Sequence, residues 1–271
     1  GSREYYEGIG RTLEAGKFFT LAGAETPRSP DDANFSRSIG YGFAIPTTHT
    51  GARATWVLSP KVTLIGGVNR GWDQLTGGFK TVEGGIDLVP SGTTTLNISG
   101  YTGNQCVGPT TGSNVCFNSS GGFVNGTRTL VDVLGSWKPP GPAAFTVDYD
   151  LASQGNAFCF NSAGAAVANC TAGWSALAGY VTYTFSPLWA ATVRGETFAD
   201  TNGYRTGYAQ TWNEGTLTLQ YTPDPKVIIR GEFRGDSSNQ AVFPYGPINP
   251  TVVTPLKKGQ SSTDLEAIVR F

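Results

Sequence analysis

Two stretches decide the architecture: Val227-Ile228-Ile229-Arg230-Gly231-Glu232-Phe233-Arg234-Gly235-Asp236 and Asp264-Leu265-Glu266-Ala267-Ile268-Val269-Arg270-Phe271. In the first, Val227, Ile229, Gly231 and Phe233 alternate with Ile228, Arg230, Glu232, Arg234 and Asp236. In the second, Leu265, Ala267, Val269 and Phe271 share one parity, and Asp264, Glu266 and Arg270 the other. Successive side chains of a β-strand point to opposite faces, so each stretch reads as a strand with one dry and one charged face. Working outward, the same period of two recurs. Leu217, Leu219 and Tyr221 alternate with Thr216, Thr218 and Gln220; Phe145, Val147, Tyr149 and Leu151 alternate with Thr146, Asp148 and Asp150; Val82, Gly84, Ile86 and Leu88 alternate with Glu83 and Asp87.

Alternation predicts about twelve strands, near 12–21, 48–58, 61–71, 80–89, 93–103, 128–138, 143–155, 174–186, 188–200, 211–222, 226–238 and 261–271. Their connections alternate in length. Tight turns such as Leu58-Ser59-Pro60-Lys61, Ser186-Pro187 and Thr222-Pro223-Asp224-Pro225 are separated by long excursions near 22–47, 103–127, 156–172 and 239–260. Arg3-Glu4-Tyr5-Tyr6-Glu7 reads as the end of a further strand or as a tail.

Composition agrees with a chain whose two faces meet different solvents. Charged residues are 14% of the 271, and there are 37 Gly, 15 Phe, 11 Tyr and 6 Trp; an ordinary soluble domain carries about 25% charged residues. A net charge of -1 leaves no excess of Lys and Arg for phosphates, which argues against nucleic acid as a partner. No run of about 18 apolar residues forms a membrane-spanning helix. In a membrane β-barrel the polar face lines a wet lumen and the apolar face meets lipid, with short turns at one end, long loops at the other and aromatic residues near the strand ends. The expected fold is therefore all-β: one transmembrane antiparallel up-and-down β-barrel over residues 1–271, of about twelve strands or the C-terminal part of a barrel of up to about sixteen. Trp56, Trp72, Trp137, Tyr183, Phe185, Trp189, Tyr221 and Phe271 are expected in its aromatic girdles. A soluble β-sandwich binding module is the competing architecture.

A terminal strand of Leu265, Ala267, Val269 and Phe271 resembles the signal by which the barrel-insertion machinery recognises bacterial outer-membrane proteins. Phe35-Ser36-Arg37-Ser38 followed by Ala44-Ile45-Pro46-Thr47-Thr48-His49-Thr50-Gly51-Ala52-Arg53 is similar to the putative beta-barrel porin family (OmpL-like) of Gram-negative outer membranes. Gly66-Gly67-Val68-Asn69-Arg70-Gly71-Trp72-Asp73, Arg194-Gly195-Glu196-Thr197-Phe198-Ala199-Asp200 and Arg230-Gly231-Glu232-Phe233-Arg234-Gly235-Asp236 extend the resemblance along the chain. It implies a passive pore for small hydrophilic solutes, surrounded by outer-membrane lipid, with both termini periplasmic. Members usually carry further strands before the position of Tyr5. A homo-oligomer, or a sleeve or anchor for a partner protein, is the other use of such a barrel.

The polar parity supplies the candidate pore-lining residues: Arg53, Glu83, Asp87, Asp132, Asp148, Asp150, Arg194, Glu196, Glu214, Arg230, Glu232, Arg234, Asp236, Asp264, Glu266 and Arg270, with Glu14 in the first strand. That set holds twelve acids against five arginines, and acidic rings favour cations. Arg–carboxylate pairs across neighbouring strands would instead brace the wall. No catalytic constellation is evident, since His49 is the only histidine. Cys106, Cys116, Cys159 and Cys170 form two close pairs in Gly-, Asn-, Ser- and Ala-rich stretches. Zinc would want tighter spacing with His, so the pattern predicts disulfides Cys106–Cys116 and Cys159–Cys170 in an oxidising compartment, with no metal and no cofactor.

Overall fold

A computed structural model describes residues 10–75, 80–106, 125–244 and 256–270. Twelve strands form one antiparallel sheet in sequence order: β1 (Arg11–Phe19), β2 (Thr48–Ser59), β3 (Val62–Asn69), β4 (Thr81–Ser91), β5 (Thr94–Cys106), β6 (Asn125–Trp137), β7 (Ala143–Phe160), β8 (Ala166–Ser186), β9 (Trp189–Asp200), β10 (Gln210–Asp224), β11 (Val227–Ser238) and, after the two-residue pair β12 (Phe243–Pro244) and β13 (Leu256–Lys257), β14 (Gly259–Val269). Short turns alternate with longer connections along the sheet. Between β7 and β8 the excursion predicted over 156–172 is mostly ladder, because both strands run on to a turn at 161–165. The disulfide Cys159–Cys170 clamps this extended hairpin. Cys116, Phe271 and the Arg3–Glu7 stretch lie outside the described residues.

The distribution of burial is inverted relative to a soluble domain. Arg194 and Asp132 are fully buried and Glu83, Asp150, Arg230 and Glu232 nearly so, while Leu265, Phe233, Val193, Leu217 and Leu151 are exposed. Along β11 the two parities separate as the alternation requires: Ile228, Arg230, Glu232 and Asp236 turn inward, Ile229 and Phe233 outward. Register places like on like across strands, so Val193 stands between Val181 and Leu217, and Glu196 faces Glu214. Exposed aromatics gather at the short-turn end, where Trp189 stacks on Tyr221 and Trp137 on Phe145, with Trp56, Tyr183 and Phe185 beside other short turns. Trp72, expected in a girdle, is instead buried inside the sheet against Trp174.

The sheet curls around its own polar face. Segment Thr20–Thr47, between β1 and β2, touches that face on β4, β5, β6, β7, β8, β9, β10, β11 and β14. A flat sheet could not present nine adjacent strands to one short segment. Within the described residues the ring is not closed: β1 pairs only with β2 and β14 only with β11. Unpaired strand edges are not tolerated in hydrocarbon, so both edges require a strand partner in a bilayer.

An arginine on the dry face tests the orientation. Val193→Arg is expected to cost about 2–4 kcal/mol in urea titrations of refolding into lipid vesicles, whereas a neutral result would reverse the assignment of faces.

Candidate functional site

The centre of the molecule is the seat of the Thr20–Thr47 segment. The segment contains a single 3-10 turn (Ser29–Asp31) and one short helix, α1 (Ile39–Phe43), capped by Ser38, whose side chain accepts from the Tyr41 N–H. Most of its peptide groups therefore have no partner within the segment, and a buried N–H without a partner costs about 1–3 kcal/mol. The inward carboxylates supply those partners. Asp132 accepts from the Gly23 N–H at 3.1 Å and Asp148 from Ala24 at 2.8 Å. Glu232 takes Phe35 and Ser36 at 3.0 and 3.1 Å, one on each oxygen. Glu196 takes Ile39 and Gly40 at 2.6 and 2.5 Å, at the start of α1. Charge-assisted bonds of this kind are among the stronger hydrogen bonds.

Arginines of the wall hold the segment's carbonyls. Arg194 donates to Ser36 O at 2.7 Å, Arg230 to Ser29 O at 3.1 Å and Arg234 to Arg37 O at 2.5 Å, while Arg53 holds Phe19 O, the last carbonyl of β1 before the segment, at 3.1 Å. The same guanidiniums are tied to acids: Arg194 to Glu214 and to Glu25 of the segment, Arg53 to Glu83, Arg230 to Glu266 and Arg234 to Asp236. Each of these four arginines is thus paired and also satisfied by a backbone acceptor, the arrangement that a buried charge requires.

Most of the sequence-predicted polar residues meet around this segment. Asp87 does not. It is half-buried and accepts from Asn97 near the short-turn end. Asp264 and Arg270 are exposed on the edge strand and just after it. The long excursion expected at 22–47 is therefore no free external loop, and the charges expected to face open water largely face protein. His49 is buried, stacked on Tyr101 at 4.7 Å, with Nδ1 3.1 Å from Gly71 O. That contact makes it part of the wall.

Several residues that matter were not singled out from the sequence. Inward positions of the long-connection half carry Tyr101, Leu130, Ala152, Trp174, Ala176 and Phe198, which form an apolar seat for Ala22, Ile39, Ala44 and Ile45. Tyr101 donates to or accepts from Thr20 and accepts from the Leu21 N–H at 2.7 Å; Trp174 donates to Ala44 O at 2.9 Å. The signal was present: these residues share the parity of Ser99, Asp132 and Glu196, where alternation alone expects polar side chains. Arg205, in the β9–β10 connection, donates to Phe43 O at 2.5 Å and lies over Trp72 and Trp174. Burial, and then the nearby Arg128, push its pKa down to about 10.

Two glycines make the close approach possible. A Cβ at Gly40 would lie 2.9 Å from both Ala176 Cβ and Glu196 Oε1, and one at Gly23, with φ of 90°, would lie 2.4 Å from Ile45 Cδ1. Two cavities flank the segment. One of about 340 Å³, between Arg37, Phe43, Trp212, Arg234 and Phe243, lies on its long-connection side. The other, about 480 Å³, between Asp32, Thr182, Thr192, Gln220 and Arg230, lies on its short-turn side. Asp32, on the wall of the second cavity, accepts from the Thr26 N–H and is paired at 2.9 Å with Arg37, which lines the first. Burial pushes its carboxyl up to about 6 despite both partners.

Solved structures share this architecture. The outer membrane channel DcaP of Acinetobacter baumannii aligns with a TM-score of 0.61 at 12% identity, over 94% of this chain and 71% of that one. OmpT of Vibrio cholerae, in its trimer form, aligns with a TM-score of 0.62 at 14% identity, over 95% of this chain and 76% of that one. No curated protein sequence matches the chain. A twelve-stranded wall with a dry outer face and a charged inner one agrees with the family match, which is described as "Putative beta-barrel porin-2, OmpL-like" and runs over residues 4–271. The chain belongs to that family of outer-membrane porins.

Proposed function

We propose that the protein is a passive channel for small hydrophilic solutes whose bore is set by the seated Thr20–Thr47 segment. The observation that carries this reading is the segment's anchorage to the inward face of nine strands, with a cavity on either side of it. A channel needs a wet wall inside a dry one, and the inverted burial supplies it. The segment then decides how much of the cross-section stays open. The chemistry is binding and sieving rather than catalysis. The cavities themselves are lined by Asp31, Asp32 and Asp236 against Arg37, Arg230, Arg234 and Arg270, so the cation preference follows from the summed field of the wall and segment, in which acids outnumber arginines, rather than from free carboxylates along the path. The turn end, with both termini, faces the periplasm, and the long connections face outward. A homo-oligomer is the natural assembly, as in the trimer form of OmpT.

Three measurements test the reading. In planar bilayers, reversal potentials in a salt gradient should take the cation-selective sign; anion selectivity would overturn the charge argument. Gly40→Val drives a side chain into Ala176 and Glu196, an overpacking cost of about 1–3 kcal/mol that unseats α1 while leaving the wall intact. Single-channel conductance should rise, and an unchanged value would show that the segment does not set the bore.

Acidity supplies the third. The Asp32 carboxyl ionises near its ordinary value of 3.8 when unseated and near 6 when seated. Its contribution to seating is therefore complete below about 4 and is lost as the pH rises through 6. Arg37, Glu25, Asp31 and Arg230 are charged groups around it. Conductance should fall between pH 7 and pH 5, and Asp32→Asn should flatten that response; a variant that responds like the wild type would sink the assignment.

A further inference from the structure

Asp132, Asp148 and Asp150 lie side by side on the inward faces of β6 and β7. Asp132 stands directly across the ladder from Asp150, and Asp148 is the next inward residue of the same strand. One oxygen from each carboxyl lies within 4.8 Å of the others. All three are at least nine-tenths buried, with relative exposures of 0, 8 and 3%. Like charges directly opposite each other destabilise a sheet, and buried charges need partners. Outside the cluster the partners are neutral and few: the Gly23 N–H and Ser99 hydroxyl on Asp132, and the Ala24 N–H on Asp148; the Asp132 carboxyl also lies in hydrogen-bond contact with those of Asp148 and Asp150. Among the described residues no Arg or Lys pairs with any of the three, because Arg194 and Arg53 are committed to Glu25, Glu214 and Glu83.

A second observation points to a missing counter-charge. Asp148 Oδ1 and Asp150 Oδ1 are completely buried and accept no hydrogen bond. The Asp150 carboxyl is otherwise in hydrogen-bond contact only with that of Asp132, and Glu196 lies on its other side, across the Gly40 backbone. Two orphaned carboxylate oxygens in one cluster leave a place for a cation rather than for a donor side chain.

We propose that Asp132, Asp148 and Asp150 bind one Ca²⁺ ion. Oxygens coordinating Ca²⁺ lie at about 2.3–2.6 Å from it, so two sharing an ion can be up to roughly 5 Å apart, which the cluster satisfies. An all-oxygen set with no imidazole or thiolate selects a hard cation. Mg²⁺ demands near-ideal octahedral geometry and gives up water reluctantly, whereas Ca²⁺ accepts an irregular set completed by water. The ion sits where the Gly23–Ala24 backbone enters the wall, so it fastens the start of the seated segment to β6 and β7. Binding is independent of whether the chain conducts, so the two readings fail separately.

Calorimetric titration of CaCl₂ into the protein refolded in detergent, stripped with EGTA and free of lipopolysaccharide, tests the site. One ion per chain is expected. Asp150→Asn should weaken binding about tenfold or more, while Asp264→Asn, on the exposed edge strand, should bind as the wild type does. If Asp150→Asn does not refold, the wild type alone decides: its heat-modifiability midpoint on gels should rise in Ca²⁺ relative to EGTA and hardly respond to equal Mg²⁺. Absence of binding heat together with a Ca²⁺-independent midpoint, or Asp150→Asn binding as tightly as the wild type, overturns the proposal. A midpoint that ignores Ca²⁺ and rises only on acidification assigns the cluster to shared protons and overturns it as well.

Discussion

The structure depends on one constraint: a stretch of irregular backbone buried inside a β wall must find hydrogen-bond partners for its peptide groups there. A helix or strand carries its partners with it, but Thr20–Thr47 has only a 3-10 turn and a five-residue helix. Its N–H groups are met by Asp132, Asp148, Glu196 and Glu232, and its carbonyls by Arg194, Arg230, Arg234 and Trp174. Removing either set would leave the other buried and unpaired, which is more costly than never having buried it. Wall and segment are therefore specified together.

This changes the meaning of the charges. Taken as a lining, the inward acids and arginines would be read by their excess and by the ions they attract. Taken with the segment, most are already engaged. Arg–carboxylate pairs brace neighbouring strands, as with Arg53 and Glu83, and the remaining acids serve as acceptors for backbone. What faces solute is set by the residues left around the two cavities, among them Arg37, Arg234, Asp32 and Arg230. The aspartate cluster of β6 and β7 is the exception to this pairing, with two carboxylate oxygens left over.

Much of this was legible beforehand, for reasons that differ by residue. Strand positions followed from a period of two that lipid and lumen enforce on every strand, so most predicted bounds fall within a few residues of those observed. Cys159 and Cys170 were paired correctly from their spacing, although the stretch between them proved to be extended ladder rather than loop. Trp72 was misplaced because an aromatic beside a strand end can turn either to the interface or inward, and only its contact with Trp174 decides. Partners such as Glu25 for Arg194 or Ser29 for Arg230 are separated by well over a hundred residues, and no local pattern links them.

Strand positions, their order and the dry face are legible along the chain because alternation, turn chemistry and composition are local properties that each segment carries alone, and the family is legible in motifs such as Arg230–Asp236. Only the tertiary structure decided that the 20–47 excursion turns inward, that the wall's charges hold backbone rather than stand free, and that three aspartates converge. Those outcomes depend on which distant side chains share one enclosed volume, and that is settled only when the sheet has curled.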